Sequence, residues 1–493
     1  MADEQPATMA TRISDLDHDS FAHCASFLSL RDLSNLAMSS KSLKSFAYSD
    51  SIWLDRFREL WPENFPLSGV RKAYLNRRTA LHQFKYYDPF VASLFAEGYY
   101  TVDNILLDKN DIIFSQGPAI KMAKIDSIMS GGSLVTMPGH NSRVTCLRLF
   151  PLSETSLAQS EAQTEENVLL TSNCDGSIRL WWKEGRNSCR LFVITLCFFV
   201  AQGACRRVFG GRHAAVHTMS DKLLGNGDVK VLASGEHDGS ICLWSLSSSG
   251  RRYRQALKAK FCGDQKPVKW MSVAGYNRWL IFPTISRNKP SNLVTMSGDS
   301  KVRVWDTTKL SANRCVGLTS VRLKPVDMKC HENLLYVAAG SSVVVLDLRI
   351  MQKVSTAAIC KPNIYSLTIM PSKSLVCTGG LNKAMLWDIR KGQERWKPEP
   401  VTELYGRHQT PVTHLHMDPY KIITGGFKSN IVEAWETDTG KKTISFFCSH
   451  PEYRFNRGCS AMAVNACRIV AACHVGVRGF IHFTDFSSAT RPL

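Results

Sequence analysis

Three segments of this chain share one spacing, in which an Asp follows a hydroxyl residue by four positions and a Trp follows the Asp by six. They are Thr171, Asp175 and Trp181; Ser234, Asp238 and Trp244; and Thr295, Asp299 and Trp305. An apolar run leads into each Asp and another into each Trp, which predicts a strand, a tight turn and a second strand. Because the spacing recurs roughly every 60 residues, one structural unit has been copied along the chain.

Histidines precede two of the three copies: Gly139-His140 lies before the first and His213 before the second. A buried Trp N–H and a buried Asp each need a hydrogen-bond partner. We therefore expect a chain of hydrogen bonds from the indole to the hydroxyl, from the hydroxyl to His, and from His to Asp. A hydrolytic Ser-His-Asp triad would not be repeated three times at one spacing, so this set is interpreted as structural.

These segments resemble WD40 repeats, the blades of a β-propeller. Weaker copies span residues 111–126, 335–349, 376–390, 422–436 and 469–486, and with the three strong copies they make eight units. The resemblance implies a mainly β protein with an eight-bladed propeller over residues 99–493, seven blades being the alternative. The last unit has little chain left for its outer strand. Residues near 99–107, or just before them, are expected to complete it and close the ring.

Two insertions interrupt the period, at residues 152–167 and 185–203. The first is polar and acidic, and is predicted to be a loop within one blade. The second contains the apolar sequence Leu-Phe-Val-Ile-Thr-Leu-Cys-Phe-Phe-Val. It is interpreted either as a buried outer strand or as translated intron, since its codons are rich in T, as a pyrimidine tract is. Its apolar run, 191–201, is shorter than the roughly 20 residues that span a bilayer, so no membrane association is expected.

Residues 13–66 follow a helical period rather than a strand period. Ser29 and Asp32 form a capping box ahead of an apolar stripe. The pattern resembles an F-box, with Asp17 where that family has Pro. The positions that carry the resemblance are Leu16, Asp19, Phe21, Cys24, Leu28, Asp32, Leu33 and Leu36. Before this small all-α bundle, residues 1–12 are expected to be flexible, and after it residues 67–98 are expected to form a basic helical linker.

F-box proteins with WD40 propellers are substrate receptors of SCF-type cullin–RING ubiquitin ligases. The resemblance implies that the helical bundle docks on a Skp-family adaptor and that the propeller holds a protein substrate. The implied adaptor contacts are Leu16, Phe21, Leu28, Leu33 and Leu36. The chemistry would belong to the ubiquitin-conjugating partner, so no catalytic residue or cofactor is expected in this chain.

Four alternatives stay open. The helical bundle could serve only to cap the propeller. The chain could be a plain WD40 scaffold, or a basic RNA-associated propeller. It could also serve the ligase class whose adaptor is itself a propeller, because Trp387-Asp388-Ile389-Arg390 matches a short motif of those receptors.

The positive charge is confined to the repeat region. Residues 1–98 hold 11 Lys and Arg against 12 Asp and Glu, which leaves 50 basic and 30 acidic residues, a net charge of +20, in the remainder. This balance favours an acidic or phosphorylated protein partner, and the cluster Gly250–Arg254 is too poor in aromatics to indicate nucleic acid. Candidate substrate contacts are Arg143 and Arg407, beside predicted strand starts, and His237 and Lys428, at predicted tight turns.

Sixteen cysteines are scattered without a single C-x-x-C pair. This distribution argues against a zinc site and against a disulfide framework. His414 and His416 share one strand face without a third ligand, so no metal is expected. With no apolar segment at the start of the chain, these features predict a cytoplasmic or nuclear protein.

Overall fold

The computed structural model describes residues 18–60, 69–129, 134–137, 140–152, 167–182, 207–209, 214–225, 230–246, 257–263, 266–274, 292–307, 315–390, 398–448, 456–465, 467–475, 478–487 and 491–492. The chain forms two compact units. One combines Met1–Pro89 with Phe486–Leu493, and the other is Phe90–Asp485. The predictions for residues 1–12, for most of 152–167 and for all of 185–203 lie outside the described residues.

The first unit is helical. Its elements are α1 (His18–Ser26), α2 (Leu30–Ser39), α3 (Lys41–Ala47), α4 (Asp50–Leu60) and α5 (Val70–Tyr86), with the short strands β1 (Tyr87–Asp88) and β34 (Arg491–Pro492). The predicted capping box starts α2. The Asp32 N–H donates to Ser29 Oγ at 3.2 Å, and the Ser29 N–H donates to Asp32 Oδ2 at 3.2 Å. These bonds satisfy amide groups that a helix start leaves unpaired.

Aromatic side chains fill the core of the helical unit. Trp53 is buried, and its indole N–H donates to Ala47 O at 2.8 Å. The Arg56 guanidinium of α4 donates to Ala25 O at 2.8 Å and thereby satisfies a carbonyl at the end of α1. The C-terminal segment belongs to this core, because Phe486 packs edge-on against Phe84 of α5 with ring centroids 5.1 Å apart. β34 also pairs with β1, so the helical unit is built from both ends of the chain.

The second unit is the propeller of eight blades that the repeats predict. Blade 1 contains β3 (Val102–Asp108), β4 (Asp111–Gln116), β5 (Ala119–Lys124), α6 (Ile125–Met129) and β6 (Val135–Met137). Blade 2 contains β7 (Val144–Pro151), β8 (Asn167–Asn173), β9 (Ile178–Trp182) and β10 (Arg207–Phe209). Blade 3 contains β11 (Val216–Met219), β12 (Val231–Glu236), β13 (Ser240–Ser245) and β14 (Leu257–Cys262). Blade 4 contains β15 (Val268–Ala274), β16 (Asn292–Ser297), β17 (Lys301–Asp306) and β18 (Cys315–Ser320).

The second half of the ring repeats the same antiparallel order. Blade 5 contains β19 (Pro325–His331), β20 (Leu334–Ala339), β21 (Ser342–Asp347) and β22 (Gln352–Ile359). Blade 6 contains β23 (Ser366–Met370), β24 (Leu375–Gly379), β25 (Lys383–Asp388) and β26 (Thr402–Tyr405). Blade 7 contains β27 (His414–Met417), β28 (Lys421–Gly426), β29 (Ser429–Glu436) and β30 (Lys442–Phe447). Blade 8 contains β31 (Asn456–Val464), β32 (Arg468–Val475), β33 (Arg478–Asp485) and, from before blade 1, β2 (Phe90–Glu97).

The ring closes through β2, which pairs with β33 from Phe90 opposite Asp485 to Glu97 opposite Arg478. This strand falls within residues 67–98, so the part of that stretch after Asp88 is not a helical linker. Its sequence alternates, with Phe90, Ala92 and Leu94 packed on the core while Val91 and Phe95 stay exposed. Such a period of two is the signature of a strand with one buried face, and it explains the difference.

Apolar side chains pack between neighbouring blades. Between blades 3 and 4, the indole of Trp305 stacks on the ring of Phe261, with centroids 5.4 Å apart and planes 9° apart.

In every blade the first strand begins, and the second strand turns into the third, on the same side of the ring. We name this side the upper face and the opposite side the lower face.

One upper-face turn is strained. Gly176 and Gly239 have left-handed φ values of 81° and 85°, and Ser300 occupies the same position in blade 4 with φ 67°. A left-handed conformation costs any residue with a side chain about 1–2 kcal/mol relative to glycine. Glycine, however, loses more conformational entropy on folding, and this offsets about 0.5–1 kcal/mol of its advantage.

Ser300→Gly is therefore expected to raise the free energy of unfolding by about 0.5–1 kcal/mol. The urea midpoint of the full chain measures this change. Gly239→Ser is the matched reverse substitution in blade 3 and is expected to lower the midpoint. A Ser300→Gly variant that is no more stable than the wild type would show that the turn is relaxed.

Phe486→Ala is expected to loosen the helical unit and to leave the propeller intact. Removing a buried Phe side chain typically costs about 3–5 kcal/mol. Hydrogen exchange should therefore accelerate in α4 and α5, while the propeller strands exchange at the wild-type rate. Phe447→Ala, at an exposed position of the outer strand of blade 7, is the control. Faster exchange spread over β31–β33 would contradict the assignment of Phe486 to the helical unit.

Candidate functional site

A buried polar network braces blade 2. The Trp181 indole N–H donates to Thr171 Oγ1 at 3.0 Å, and His140 Nε2 lies 2.7 Å from the same hydroxyl. His140 Nδ1 lies 3.5 Å from Ser177 Oγ, which donates to Asn173 Oδ1 at 3.1 Å. The network therefore passes from His140 to Ser177 and Asn173, where the sequence predicts Asp175.

The three aspartates of the repeated spacing make local turn bonds instead. Asp175, Asp238 and Asp299 each accept the N–H of the residue two positions later, at 2.8, 2.9 and 3.0 Å. This bond is an Asx turn, in which the carboxylate imitates a backbone carbonyl and closes the hairpin. The fixed position of Asp thus has a purely local cause.

The tryptophan brace extends to five blades. The predicted pairs of blades 3 and 4 are present, with Trp244 donating to Ser234 Oγ at 2.8 Å and Trp305 donating to Thr295 Oγ1 at 2.9 Å. Blades 6 and 7 contain two further pairs: Trp387 donates to Thr378 Oγ1 at 2.9 Å, and Trp435 donates to Thr424 Oγ1 at 3.1 Å. Their sequence separations are 9 and 11, whereas the predicted pairs are separated by 10. Each of these two threonines begins a Thr-Gly-Gly triplet. This triplet is a sequence signal for the pair that a search limited to a separation of ten residues misses.

Blade 7 builds its network around a buried carboxylate. His408 Nε2 lies 2.8 Å from Thr424 Oγ1 and 3.3 Å from Glu433 Oε2. Glu433 Oε1 accepts the backbone N–H of Arg407 at 3.0 Å. Both side chains are shielded from solvent, and burial lowers the pKa of His408. His213, the predicted counterpart in blade 3, lies outside the described residues.

These polar groups do not form an open reaction site. Burial lowers the pKa of His140 to about 3, so the ring is neutral and bonded on both sides. His414 and His416 bond to different partners, Cys459 O at 3.1 Å and Asp418 Oδ2 at 3.3 Å. Among the described residues, no group of three or more His, Cys, Asp or Glu is placed to hold a metal ion. The same residues contain no helix long and apolar enough to cross a membrane.

Residues 131–181 match the WD40 family model, described as WD domain, G-beta repeat. The chain carries a WD40 repeat domain. Among solved structures, Saccharomyces cerevisiae Sqt1 is similar at 10% identity with a TM-score of 0.56, over 80% of this chain and 98% of that chain. At this identity the likeness concerns the fold alone. No curated protein gives a significant match. WD40 propellers are in general non-catalytic scaffolds for protein interactions.

The four candidate substrate contacts all lie on the upper face of the WD40 domain. Arg143 is tied to Asp103 by two bonds of 2.9 Å, which link blade 2 to blade 1. His237 is exposed on the turn of blade 3. Arg407 and Lys428 are exposed in blade 7, one before the first strand and one in the turn between the second and third strands. The last two are therefore close in the fold, and both are free to meet a ligand.

The candidate adaptor contacts divide into buried and accessible positions. Phe21 and Leu33 are 4% and 2% exposed and belong to the core of the helical unit. Leu28 and Leu36 are half-buried, and Leu16 lies outside the described residues. Sequence reasoning did not find Phe27 and Met38, large apolar side chains of this unit that are 77% and 74% exposed. Both lie outside the core-facing stripe, and helical periodicity selects only residues on that stripe.

The stability of the WD40 domain is expected to fall as the pH drops from 6.5 towards 3. In this interval the unfolded chain protonates at His140 and the folded chain does not, because the folded pKa is about 3 and the ordinary value is 6.5. Each pH unit then removes up to about 1.4 kcal/mol per such histidine. His140→Gln should reduce the slope without abolishing it, since burial also lowers the pKa of His408 and His482. Urea midpoints at neutral pH and at about pH 5 measure the slope, and an unchanged slope would contradict this account.

Proposed function

We propose that this chain is the substrate-recognition subunit of an SCF-type cullin–RING ubiquitin ligase. Its helical unit docks the Skp-family adaptor, and its WD40 domain binds the protein substrate. The chain has no catalytic role of its own; it raises the effective concentration of a substrate lysine near the loaded thioester. We place this activity in the cytoplasm or nucleus, in keeping with the free cysteines of the described part of the chain.

One observation carries the proposal. A helical bundle with F-box spacing fills its own core with Phe21 and Leu33 and still leaves Phe27 and Met38 in solvent. Large apolar side chains at such exposure favour a protein partner. The half-buried Leu28 and Leu36 provide further apolar surface on the same helical segment.

The substrate is proposed to be acidic or phosphorylated. The net charge of +20 after residue 98 supports an anionic partner. Arg407 and Lys428 are the best placed of the four candidate contacts, whereas Arg143 already has a carboxylate partner.

A second candidate function is that of a receptor for the ligase class whose adaptor is a propeller. It is favoured by two Asp–Arg ion pairs of the same spacing, one at the end of the third strand of blade 5 and one at the end of the third strand of blade 6. Arg349 Nη2 lies 2.7 Å from Asp347 Oδ2, and Arg390 Nη2 lies 2.9 Å from Asp388 Oδ2. Each guanidinium is held in place yet mostly exposed on the lower face. Trp387 itself is buried in the blade brace and is not available to a partner.

Met38→Asp and Phe27→Asp are each expected to reduce capture of a purified Skp-family adaptor on the immobilised full chain by more than about tenfold. Placing a carboxylate in an apolar interface costs several kcal/mol, and each 1.4 kcal/mol is a factor of ten. Leu33→Asp is a poorer test, because Leu33 is buried and its replacement would unfold the bundle.

Phe447→Asp, at an exposed aromatic of the outer strand of blade 7, is the control and should leave capture unchanged. Failure of the wild-type chain to capture the adaptor would overturn the proposal. Capture of a propeller adaptor that is lost in Arg390→Ala and kept in Met38→Asp would instead establish the second candidate.

A further inference from the structure

The upper face is electrostatically divided. Blades 1 to 4 each carry a carboxylate there, namely Asp103, Asp175, Asp238 and Asp299. The corresponding segments of blades 5 to 7, residues 320–325, 340–341, 360–365, 380–382, 406–413 and 427–428, contain neither Asp nor Glu. Asp327, further along the first strand of blade 5, lies 3.6 Å from Lys329 and is already paired.

The acid-free segments carry exposed cations. These are Arg322, Lys324, Lys361, Arg407 and Lys428. No carboxylate lies in the same segments. Of the carboxylates beside them, Glu403 is paired with Lys383 at 2.8 Å, and the buried Glu433 accepts the backbone N–H of Arg407 at 3.0 Å. An anionic ligand would therefore meet complementary charge across three consecutive blades.

Large apolar side chains stand between these cations. Leu323, Leu381 and Phe427 are each roughly half exposed, one beside the turn of each of blades 5, 6 and 7. Their backbones are fixed. Leu323 packs so closely on Gly340 that a Cβ there would lie 2.4 Å from Leu323 Cδ1. The Phe427 N–H donates to Thr413 Oγ1 at 3.0 Å, and the turn that holds Leu381 is closed by Gly380 N–H donating to Lys383 O at 2.8 Å. The hydrogen bonds hold the backbone at Leu381 and Phe427 in place, and a loop that is already ordered loses less entropy on binding.

We propose that the upper face of blades 5 to 7 is the docking surface for an acidic peptide segment that also carries apolar side chains. The inference rests on the proposed function and specifies its substrate class. Carboxylates of the peptide pair with Lys361, Arg407 and Lys428, and its apolar side chains cover Leu323, Leu381 and Phe427. Alternation of the two kinds of contact selects such a peptide over one that is merely negative.

The same arrangement disfavours other anions. Phosphate recognition uses several donors that converge on one group. Here Arg407 and Lys428 share blade 7, whereas Lys361 precedes blade 6 and Arg322 and Lys324 precede blade 5, so the cations as a set are spread along the surface. Single-stranded RNA requires a series of stacking platforms, and two of the three apolar side chains here are leucines.

The test measures fluorescence anisotropy of labelled probe peptides with the full chain. The main probe alternates glutamate and leucine. Companion probes replace leucine by serine, glutamate by lysine, or glutamate by phosphoserine, and a single-stranded RNA of matched charge completes the set. The glutamate–leucine probe is expected to bind most tightly. No saturable binding of that probe overturns the proposal, and tighter binding of the phosphopeptide or the RNA assigns the surface to that class instead.

Two sets of variants locate the contact. The combined Lys361→Glu, Arg407→Glu and Lys428→Glu variant is expected to weaken binding by about tenfold or more. Lys258→Glu, Lys353→Glu and Lys441→Glu change the net charge equally at exposed positions away from this surface, and should alter binding less than about twofold. Leu381→Ser with Phe427→Ser should cost about tenfold for the glutamate–leucine probe and little for the serine probe. Ile350→Ser with Val354→Ser, at two exposed apolar positions on the lower side of blade 5, is the apolar control.

Equal losses in the test and control variants would overturn the proposal. Adaptor capture, measured on the same variants, is expected to stay at the wild-type level. A chain that binds the probe through these residues yet captures no adaptor would keep the docking surface and lose the ligase function, so the two failures are distinguishable.

Discussion

The whole propeller depends on the pairing of β2 with β33. Without β2, blade 8 would have only three strands, and the pairing that joins the start of the propeller to its last blade would be lost. Eight register pairs, from Phe90 opposite Asp485 to Glu97 opposite Arg478, supply the outer strand of blade 8 from the beginning of the ring. Because Phe90 and Asp485 are register partners, the chain leaves the propeller at adjacent points. Phe486, the residue after Asp485, belongs to the helical unit and packs on Phe84.

The polar side chains of the blades separate into two kinds that the sequence does not distinguish. Thr171, His140 and Trp181 satisfy one another in the interior, where an unpaired group costs about 1–3 kcal/mol. The aspartates at the neighbouring turns bond to their own hairpins and keep part of their charge at the surface. The sequence pattern of Trp, hydroxyl residue, His and Asp suggests one network of four groups. In the structure the first three form an internal brace, and the Asp forms a separate turn at the surface. Of the two, only the turn reaches the surface of the propeller.

Sequence reasoning succeeded where geometry imposes a fixed separation. Three blades keep a separation of ten positions from hydroxyl to Trp, and the eight-bladed fold follows from them and their weaker copies. It failed where one residue was gained or lost, as between Thr378 and Trp387 or between Thr424 and Trp435. At β2 it gave two answers. The strand that completes the last blade lies just before residue 99, as expected, but in a stretch that was also predicted to be a helical linker. In the helical unit, periodicity identifies an apolar stripe but not what covers it. Phe21 and Leu33 are covered by the chain itself, and Phe27 and Met38 are not.

The division of the upper face follows from the degeneration of the repeat. In blades 2 to 4 the turn Asp closes the hairpin and, by the same bond, places a negative charge on the upper face. Blades 5 to 7 close their turns with Gly340-Ser341, Leu381-Asn382 and Phe427-Lys428. Each substitution forgoes a turn bond of about 0.5–1.5 kcal/mol. Each also removes a charge that would otherwise neutralise a neighbouring Lys or Arg. The residues that replace the turn Asp in blades 5 to 7 therefore have two effects. They remove the repeat signature from the sequence, and they make the upper face of these blades cationic and partly apolar. For this reason the blades that are hardest to recognise in the sequence are the ones best suited to bind an acidic partner.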